Sequence, residues 1–266
     1  MIRSVARHWA KLDEPAIGKL KAMSRKITPS ATGMTARNKD RLRALDDPDR
    51  VHALLHMPER LRTDVIRAGE PTHSLAVRLQ TAVMCEILIM VPVRLRNLAN
   101  LQIGVQLLFG HRGEITLSIP SHEVKNGVSI EAALPEKTAE LIALYVTRYR
   151  PLLPGSEGIY LFPSRSPAIA KSHCGIRDQI KAAVRNVAGL DFTPHTFRHA
   201  AGKMMLDENP GAHGQVQQML GHKRISTTIG FYTGLEAKSA LAHWDASVTR
   251  RREATVLLAP RKGRRK

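Results

Sequence analysis

The chain contains too few cysteines for a disulfide framework or a cysteine-based metal site. Only Cys85 and Cys174 occur among 266 residues, and they are far apart. They form no metal-ligand pattern and suit free thiols in a reducing cytosol. We therefore expect no zinc site.

Long apolar runs are also missing. The longest, Thr81 to Val93, is interrupted by Glu86 and is shorter than the roughly 20 residues that cross a bilayer. No signal-peptide pattern is recognisable at the N-terminus. The sequence therefore predicts a cytoplasmic protein with no membrane partner.

Acidic residues are scarce relative to basic ones. Lys and Arg number 41 against 23 Asp and Glu, which gives a formal charge of +18. The excess is concentrated at the ends, because residues 1–45 hold 11 basic and 3 acidic side chains and residues 249–266 hold 8 and 1. A positive charge of this size favours a polyanionic partner. Double-stranded DNA is the leading candidate.

The residue patterns predict an α+β fold that is mainly helical, with one small antiparallel three-stranded sheet. The run Asp46-Asp47-Pro48 resembles a helix start, and this predicts a basic segment at 1–45, a compact domain at 46–248 and a basic tail at 249–266. A buried helix is expected at 74–90, because this stretch is apolar almost all round. The predicted strands are 105–109, 114–119 and 128–134, and the later helices are 136–149, 174–188, 195–207, 213–220, 225–233 and 235–248.

Aromatic residues make up only 4% of the chain, and one of its four tyrosines stands in an informative place. Tyr232 follows His195, Arg198 and His222 within about forty residues. A phenol has a pKa of about 10, so its attack on phosphate needs help with its proton, while the charge on the phosphoryl oxygens needs cationic donors. The chain supplies such groups in this order: Arg94, Lys125, His195, Arg198, His222 and Tyr232.

Two runs carry a more specific pattern: Thr193-Pro194-His195-Thr196-Phe197-Arg198-His199, and Met219-Leu220-Gly221-His222-Lys223 continuing through Thr227-Thr228 to Tyr232. With Arg94 and Lys125 upstream, the chain resembles the tyrosine recombinase or phage integrase family over roughly residues 46 to 248. The resemblance implies the catalytic-domain fold of that family. It also implies site-specific DNA cleavage and rejoining through a covalent 3′-phosphotyrosyl intermediate, with no metal, ATP or other cofactor.

The resemblance assigns a role to each residue. Tyr232 would be the nucleophile, Arg94 and Arg198 would hold the non-bridging oxygens, and Lys125 would protonate the leaving 5′-oxygen. His195 would act as general acid or base towards the tyrosine, and His222 would donate a hydrogen bond to phosphate. We expect Arg94, His195, Arg198, His222 and Tyr232 to line one basic cleft. A displaced Tyr232 would count less against these roles than a displaced Arg94, because the helix of Tyr232 can move when DNA binds.

Taken alone, each of these residues also fits a structural role. Tyr232, for example, fits a core aromatic, and Lys137 competes with Lys125 for the lysine position. The chain departs from the family at Pro92-Val93, where a glycine usually stands two residues before the arginine, and at Asn97, where the family usually has an acidic residue. Residues 1–45 are short for the helical domain that closes around DNA and are interpreted as a remnant of such a core-binding domain.

Other functions remain open. A type IB topoisomerase would use similar chemistry on one duplex, and a DNA-binding remnant of an integrase would keep the fold without cutting. A basic metal-binding regulator that uses some of the 12 histidines is a third hypothesis. The resemblance further implies a tetramer on two DNA sites, a helix near 235–248 that reaches a neighbouring subunit, accessory DNA-bending proteins, a mobile element as host and association with the nucleoid.

Overall fold

The structure is a computed structural model that describes residues 2–27, 33–232 and 237–256. The helices in these residues are α1 (Ile2–His8), α2 (Glu14–Ile27), α3 (Ala36–Arg43), α4 (Pro48–Leu55), α5 (Met57–Arg67), α6 (His73–Met90), α7 (Leu95–Ala99), α8 (Glu136–Leu144), α9 (His173–Ala188), α10 (Pro194–Glu208), α11 (His213–Leu220), α12 (Ile225–Tyr232) and α13 (Ala237–Val256). The strands are β1 (Leu107–Phe109), β2 (Ile115–Ile119) and β3 (Ile130–Ala133). The predicted mainly helical fold is confirmed.

The three strands form one antiparallel sheet in the order β1-β2-β3, as predicted. Leu117 of β2 lies opposite Leu107 on one side and Ala132 on the other. The side chains of β2 alternate between buried and half-buried, because successive residues of a strand point to opposite faces. β1 begins two residues later than expected, since the Gln106 side chain accepts a hydrogen bond from the Gln102 amide at 3.1 Å and closes a turn there.

Helix α6 is the central core element. Its N-terminus is capped by Thr72, whose side chain accepts from the Leu75 amide at 3.3 Å. By length and composition α6 is apolar enough to cross a membrane, yet more than half of it is buried inside the protein. Helices α5, α8, α9 and α10 all contact it. It is therefore explained as the core helix of a packed domain.

The helix predicted over 136–149 is continuous but not uniform. The α-helical part ends at Leu144, and residues 145–149 form a π-helical turn. This turn places Tyr145 in the core, where its hydroxyl donates to the Leu161 carbonyl and accepts from Gln80, both at 3.0 Å. These partners are distant in sequence, so local pattern alone could not indicate the change of helix type.

Helix α4 begins where predicted, because the Asp47 side chain accepts from the Asp49 amide at 3.0 Å. Side chains before the predicted boundary also enter the main core: Met34, Leu42 and Leu45 belong to the same hydrophobic cluster as the later residues. The division of the chain into a basic segment at 1–45 and a compact domain from residue 46 stays a prediction. Residues 28–32, the end of the 225–233 helix, residues 235–236 and the tail from 257 lie outside the described residues.

Candidate functional site

Five of the six predicted site residues line one cavity of about 360 Å³. They come from four separate parts of the chain: the start of α7, the β2–β3 connection, α10 and the α11–α12 connection. The cavity is lined by Arg94, Lys125, Asn126, His195, Arg198, His199, Leu220, His222, Lys223, Thr227 and Phe231. Cationic side chains and imidazoles dominate the polar part of the lining, and no carboxylate belongs to it. Such a lining suits an anion.

Arg94 enters the cavity because α6 ends just before it. The chain after Met90 is extended, and Arg94 occupies the position before the first residue of α7. Its side chain is partly buried, and this burial lowers the pKa of its guanidinium. Pro92, one of the departures from the family pattern, presents its carbonyl oxygen to Arg198. The backbone before Arg94 therefore contributes to the site.

Lys125 is exposed at the cavity rim, in the connection between β2 and β3. Two amide side chains hold this connection in place. Asn97 donates to the Glu123 carbonyl at 3.2 Å, and Asn126 donates to the carbonyl of Gly221. Asn97, at which the chain departs from the family pattern, thus anchors the segment that carries Lys125. The competing Lys137 lies in the first turn of α8 and is not part of the cavity lining.

Helix α10 supplies the centre of the cavity. Thr193 and Thr196 form a reciprocal capping box, and Pro194 occupies the first turn, where its missing N–H costs nothing. His195 and Arg198 are three residues apart and therefore share a helix face. The Arg198 guanidinium is buried and donates to the Pro92 carbonyl and, at 2.7 Å, to the Leu220 carbonyl.

The pKa of Arg198 is lowered to about 10, mainly because the side chain is buried and secondly because Arg94 is close. At neutral pH Arg198 therefore stays protonated. Burial also lowers the pKa of His195, and the nearby Arg198 and Arg94 lower it further. A neutral imidazole beside two guanidinium groups is the arrangement expected at neutral pH.

His222 lies where α11 ends at Gly221, whose φ of 59° is in the left-handed region that glycine adopts without strain. Its Nδ1 lies 2.8 Å from the hydroxyl oxygen of Thr228, and its carbonyl accepts from Gln217 at 3.0 Å. Burial, followed by the charges of Arg198 and Arg94, lowers its pKa. The contact with Thr228 orients the ring at the cavity wall, and the contact with Gln217 holds the backbone that carries it.

Tyr232 does not line the cavity, and on this point the expected common cleft of five residues is wrong. Its side chain is fully buried, and its hydroxyl donates to the Arg198 carbonyl at 3.4 Å. The ring lies against Gly202, where a Cβ would come within 2.9 Å of Cε1 and closer still to the hydroxyl end. Burial raises the pKa of this phenol, although Arg198 opposes the effect. The expectation failed because Gly202, about one helical turn after His199 on α10, leaves room for the ring away from the cavity.

Sequence reasoning missed His199 as a site residue. Its Nε2 lies 3.0 Å from Nε2 of His195, and its ring stacks on Phe231 with centroids 5.6 Å apart. The available signal was the four-residue spacing from His195, which places the two rings on one helix face. Within the described ranges, no cluster of three or more His, Cys, Asp or Glu side chains is arranged to hold a metal.

Comparisons with known proteins agree with the fold. The family described as the phage integrase family matches residues 47–239. Two crystal structures of the XerH site-specific recombinase bound to difH substrates are similar at 18% identity. The pre-cleavage complex has a TM-score of 0.51 and the post-cleavage complex 0.54, and the matches cover 80% and 82% of this chain.

The chain spans only 53% and 56% of the two XerH chains. No curated protein sequence matches it. The family match nevertheless covers most of the chain, from α4 to the first residues of α13. The protein therefore belongs to the phage integrase family of tyrosine recombinases.

Proposed function

We propose that the protein is a site-specific DNA recombinase that breaks and rejoins DNA through a covalent 3′-phosphotyrosyl intermediate. The observation that carries the proposal is the cavity in which Arg94, Lys125, His195, Arg198 and His222 meet. Four distant segments converge there, and their shared feature is the ability to donate hydrogen bonds to an anion or to move a proton. A scissile phosphate is the anion that such a set fits in a protein of charge +18.

In this mechanism the guanidinium groups of Arg94 and Arg198 bind the non-bridging oxygens. Tyr232 attacks phosphorus, its proton passes to His195, and the phosphate–5′-oxygen bond breaks as Lys125 protonates the leaving oxygen. His222 donates to a phosphate oxygen as charge develops. The phosphotyrosyl bond keeps the energy of the original phosphodiester. A 5′-hydroxyl from another strand can therefore reverse the reaction without ATP or metal.

Attack requires Tyr232 to leave its position beside Gly202 and turn towards the cavity. Tyr232 is the last described residue of α12, and a movement of this helix would turn the phenol towards the cavity. Phe231, its neighbour, already lines the cavity. DNA binding would supply the free energy for this change.

Within the same proposal, two copies on each of two DNA sites form a tetramer. Helix α13 supports this, since Leu241 and Trp244 are each 63% exposed and a neighbouring subunit would cover them. The chain would act in the cytoplasm at the nucleoid, in the service of a mobile element, with accessory proteins that bend DNA.

The second candidate is a DNA-binding remnant, and the burial of Tyr232 is the observation that favours it. A type IB topoisomerase remains the third, because its chemistry would use the same cavity. The three differ in what they do to DNA: a recombinase forms an adduct at a preferred site, a topoisomerase relaxes any supercoiled plasmid, and a remnant binds without forming an adduct.

The test begins with selection of a preferred site from a random-sequence duplex library by the protein itself. A nicked duplex that carries the selected site then serves as a suicide substrate, on which wild-type protein should form a covalent adduct that survives denaturant. Tyr232→Phe should bind the duplex with unchanged affinity and form no adduct. Tyr160→Phe is the matched control, since Tyr160 lies outside the cavity and should be dispensable.

Each outcome separates the candidates. An adduct that persists in Tyr232→Phe means that another residue is the nucleophile. Specific binding without any wild-type adduct supports the remnant. Relaxation of a plasmid that lacks the selected site supports the topoisomerase. An adduct confined to the selected site, together with strand exchange between two such duplexes, supports recombination.

A further inference from the structure

His199 lines the cavity and contacts both a predicted catalytic side chain, His195, and the helix that carries Tyr232. Its ring meets His195 edge to face, with centroids 4.5 Å apart and an interplanar angle of 77°. On its other side it stacks on Phe231, at 28°. Only 6% of His199 is exposed. Its position is therefore fixed by packing from α10 and from α12.

Both rings of this pair are neutral at neutral pH. Burial lowers the pKa of His199 to about 4, and the nearby His195, Arg198 and His222 contribute to the effect. A 3.0 Å contact between two ring nitrogens of neutral imidazoles needs one N–H and one lone pair. One histidine therefore donates to the other, and the remaining question is which one carries the proton.

The surrounding charges favour His195 as the donor. The titratable and charged groups around the pair come from every element that forms the cavity: Arg94, Lys125, Arg198, His222 and Lys223. Within the described part of the chain, Nδ1 of His195 has no hydrogen-bond partner. If the proton of neutral His195 were on Nδ1, that N–H would place the positive end of a dipole in a cavity lined by cations. If the proton is on Nε2, the N–H is hydrogen-bonded to His199 instead.

We propose that His199 is a positioning residue whose Nε2 accepts the Nε2–H of His195, so that Nδ1 of His195 is held unprotonated and directed to take the phenol proton. The inference rests on the proposed recombinase function. As the bond between the Tyr232 oxygen and phosphorus forms, the phenol O–H bond breaks and its proton goes to Nδ1 of His195. The resulting imidazolium keeps its Nε2–H donated to His199, which remains neutral.

Two substitutions separate this role from packing. His199→Gln places an amide oxygen near the position of the lost Nε2 and can still accept a hydrogen bond, whereas His199→Leu fills space without an acceptor. His52→Leu, which changes an exposed histidine of α4, is the matched control. All variants are compared for thermal midpoint, for affinity towards the selected duplex, and for the rate of adduct formation on the suicide substrate between pH 5 and 9.

We expect His199→Leu to slow adduct formation by roughly 10- to 100-fold with unchanged DNA affinity, and His199→Gln to recover most of the rate. The imidazolium of His195 loses its acceptor in the leucine variant, so its pKa falls. The acidic limb of the pH–rate profile should therefore move to lower pH by roughly one unit. A merely structural role would not move this limb.

Nitrogen-15 spectra of the DNA-free protein, with labelled histidine, test the direction of the hydrogen bond independently of cleavage. Nε2 of His195 should carry the proton and Nε2 of His199 should not, and the reverse pattern overturns the inference. If wild-type protein forms an adduct and His199→Leu matches it at every pH, the inference alone fails. If wild-type protein forms no adduct while binding its site, the proposed function fails first.

Discussion

Arg198 has a structural role beside its expected catalytic one. Its two terminal nitrogens donate to the carbonyls of Pro92 and Leu220, which belong to segments more than a hundred residues apart. A guanidinium carries five N–H donors in one plane, so it can hold both carbonyls and still offer a donor to phosphate. The same side chain therefore joins two walls of the cavity and contributes its positive charge.

This double role predicts that Arg198→Lys loses stability as well as cleavage. A lysine nitrogen cannot reproduce the planar arrangement, so one buried carbonyl loses its donor, at a cost of roughly 1–3 kcal/mol. Urea unfolding should show this loss, and the suicide substrate should show little or no adduct. Arg96→Lys, at an exposed position of α7, should change neither. An Arg198→Lys protein as stable as wild type would mean that the carbonyl contacts contribute nothing.

The sequence was a better guide to which residues come together than to how their side chains are oriented. The resemblance led us to expect Arg94, His195, Arg198 and His222 in one cleft, and these four residues line one cavity together with Lys125. Their catalytic roles remain predictions. The orientation of Tyr232 and the contact between His199 and His195 depend on how α10 and α12 pack, and single-residue patterns carry little information on that.

Helices α10 and α12 meet through a glycine. Gly202 is in the middle of α10, where an alanine would normally favour the helix by about 1 kcal/mol. The absence of a side chain leaves the space that the Tyr232 ring occupies. The position of the proposed nucleophile in this structure is therefore set by the close approach of two helices.

Gly202→Ala should expel the phenol from this space. The new methyl group would overlap the ring, so either α12 shifts or the tyrosine rotates out, at a cost of roughly 1–3 kcal/mol in unfolding free energy. Tetranitromethane should then nitrate Tyr232 faster in the variant than in wild type, as measured by peptide mass spectrometry. Gly214→Ala is the control, because a Cβ there meets nothing within 4 Å. Equal nitration rates in the two variants would show that the ring stays buried despite the methyl group.

The local sequence pattern predicted which segments form helices and strands. It did not predict the long-range contacts that position the site residues. Helix α11 has the predicted bounds, since Gly221 ends it in a left-handed conformation that the sequence makes visible. The β2–β3 connection contains a 3₁₀ turn, and the side chains of Asn97 and Asn126 anchor this connection to other parts of the chain. Those contacts join residues up to 95 positions apart, so no local rule could reveal them.

The N-terminal segment is joined to the site-bearing helices by several independent contacts. Arg41 pairs with Asp191 at 2.6 Å, just before α10, and the buried Lys203 of α10 pairs with Asp46 at 2.8 Å. Gly33, with a φ of 106°, lies so near α12 that a Cβ would come within 2.6 Å of the Gly230 carbonyl. Residues 33–46 are thus packed against the two helices that carry most of the proposed chemistry.

Helices α1 and α2 differ from this segment. They contact each other, and their buried residues Ala6 and Ile17 are outside the main hydrophobic cluster. Helix α3, which begins ten residues before the predicted boundary at 46, is therefore packed with the helices that hold the cavity. The basic charge of residues 1–32, with seven Lys or Arg, then remains available for DNA.

Two truncations test this arrangement. A chain of residues 33–266 should keep the urea midpoint of the full chain, because it retains Met34, Leu42 and Leu45. A chain of residues 46–266 loses these three side chains, each worth roughly 1.5–3 kcal/mol when buried, together with Arg41, one of the three cationic partners of Asp191, and should unfold at a much lower urea concentration. Equal midpoints for the two truncations would instead place the boundary at residue 46.

Measurements of DNA binding should distinguish the 33–266 chain from the full chain, although their urea midpoints should agree. Removal of residues 1–32 deletes seven cationic side chains without touching the cavity, so affinity for random-sequence duplex should fall, and the dependence of log affinity on log salt should become shallower. Adduct formation at saturating protein should be unchanged in the 33–266 chain, because α3, α10 and α12 remain packed together. If that chain binds with wild-type affinity and salt dependence, the N-terminal charges do not contact DNA, and the positive charge that binds DNA belongs to the cavity or to residues 237–266.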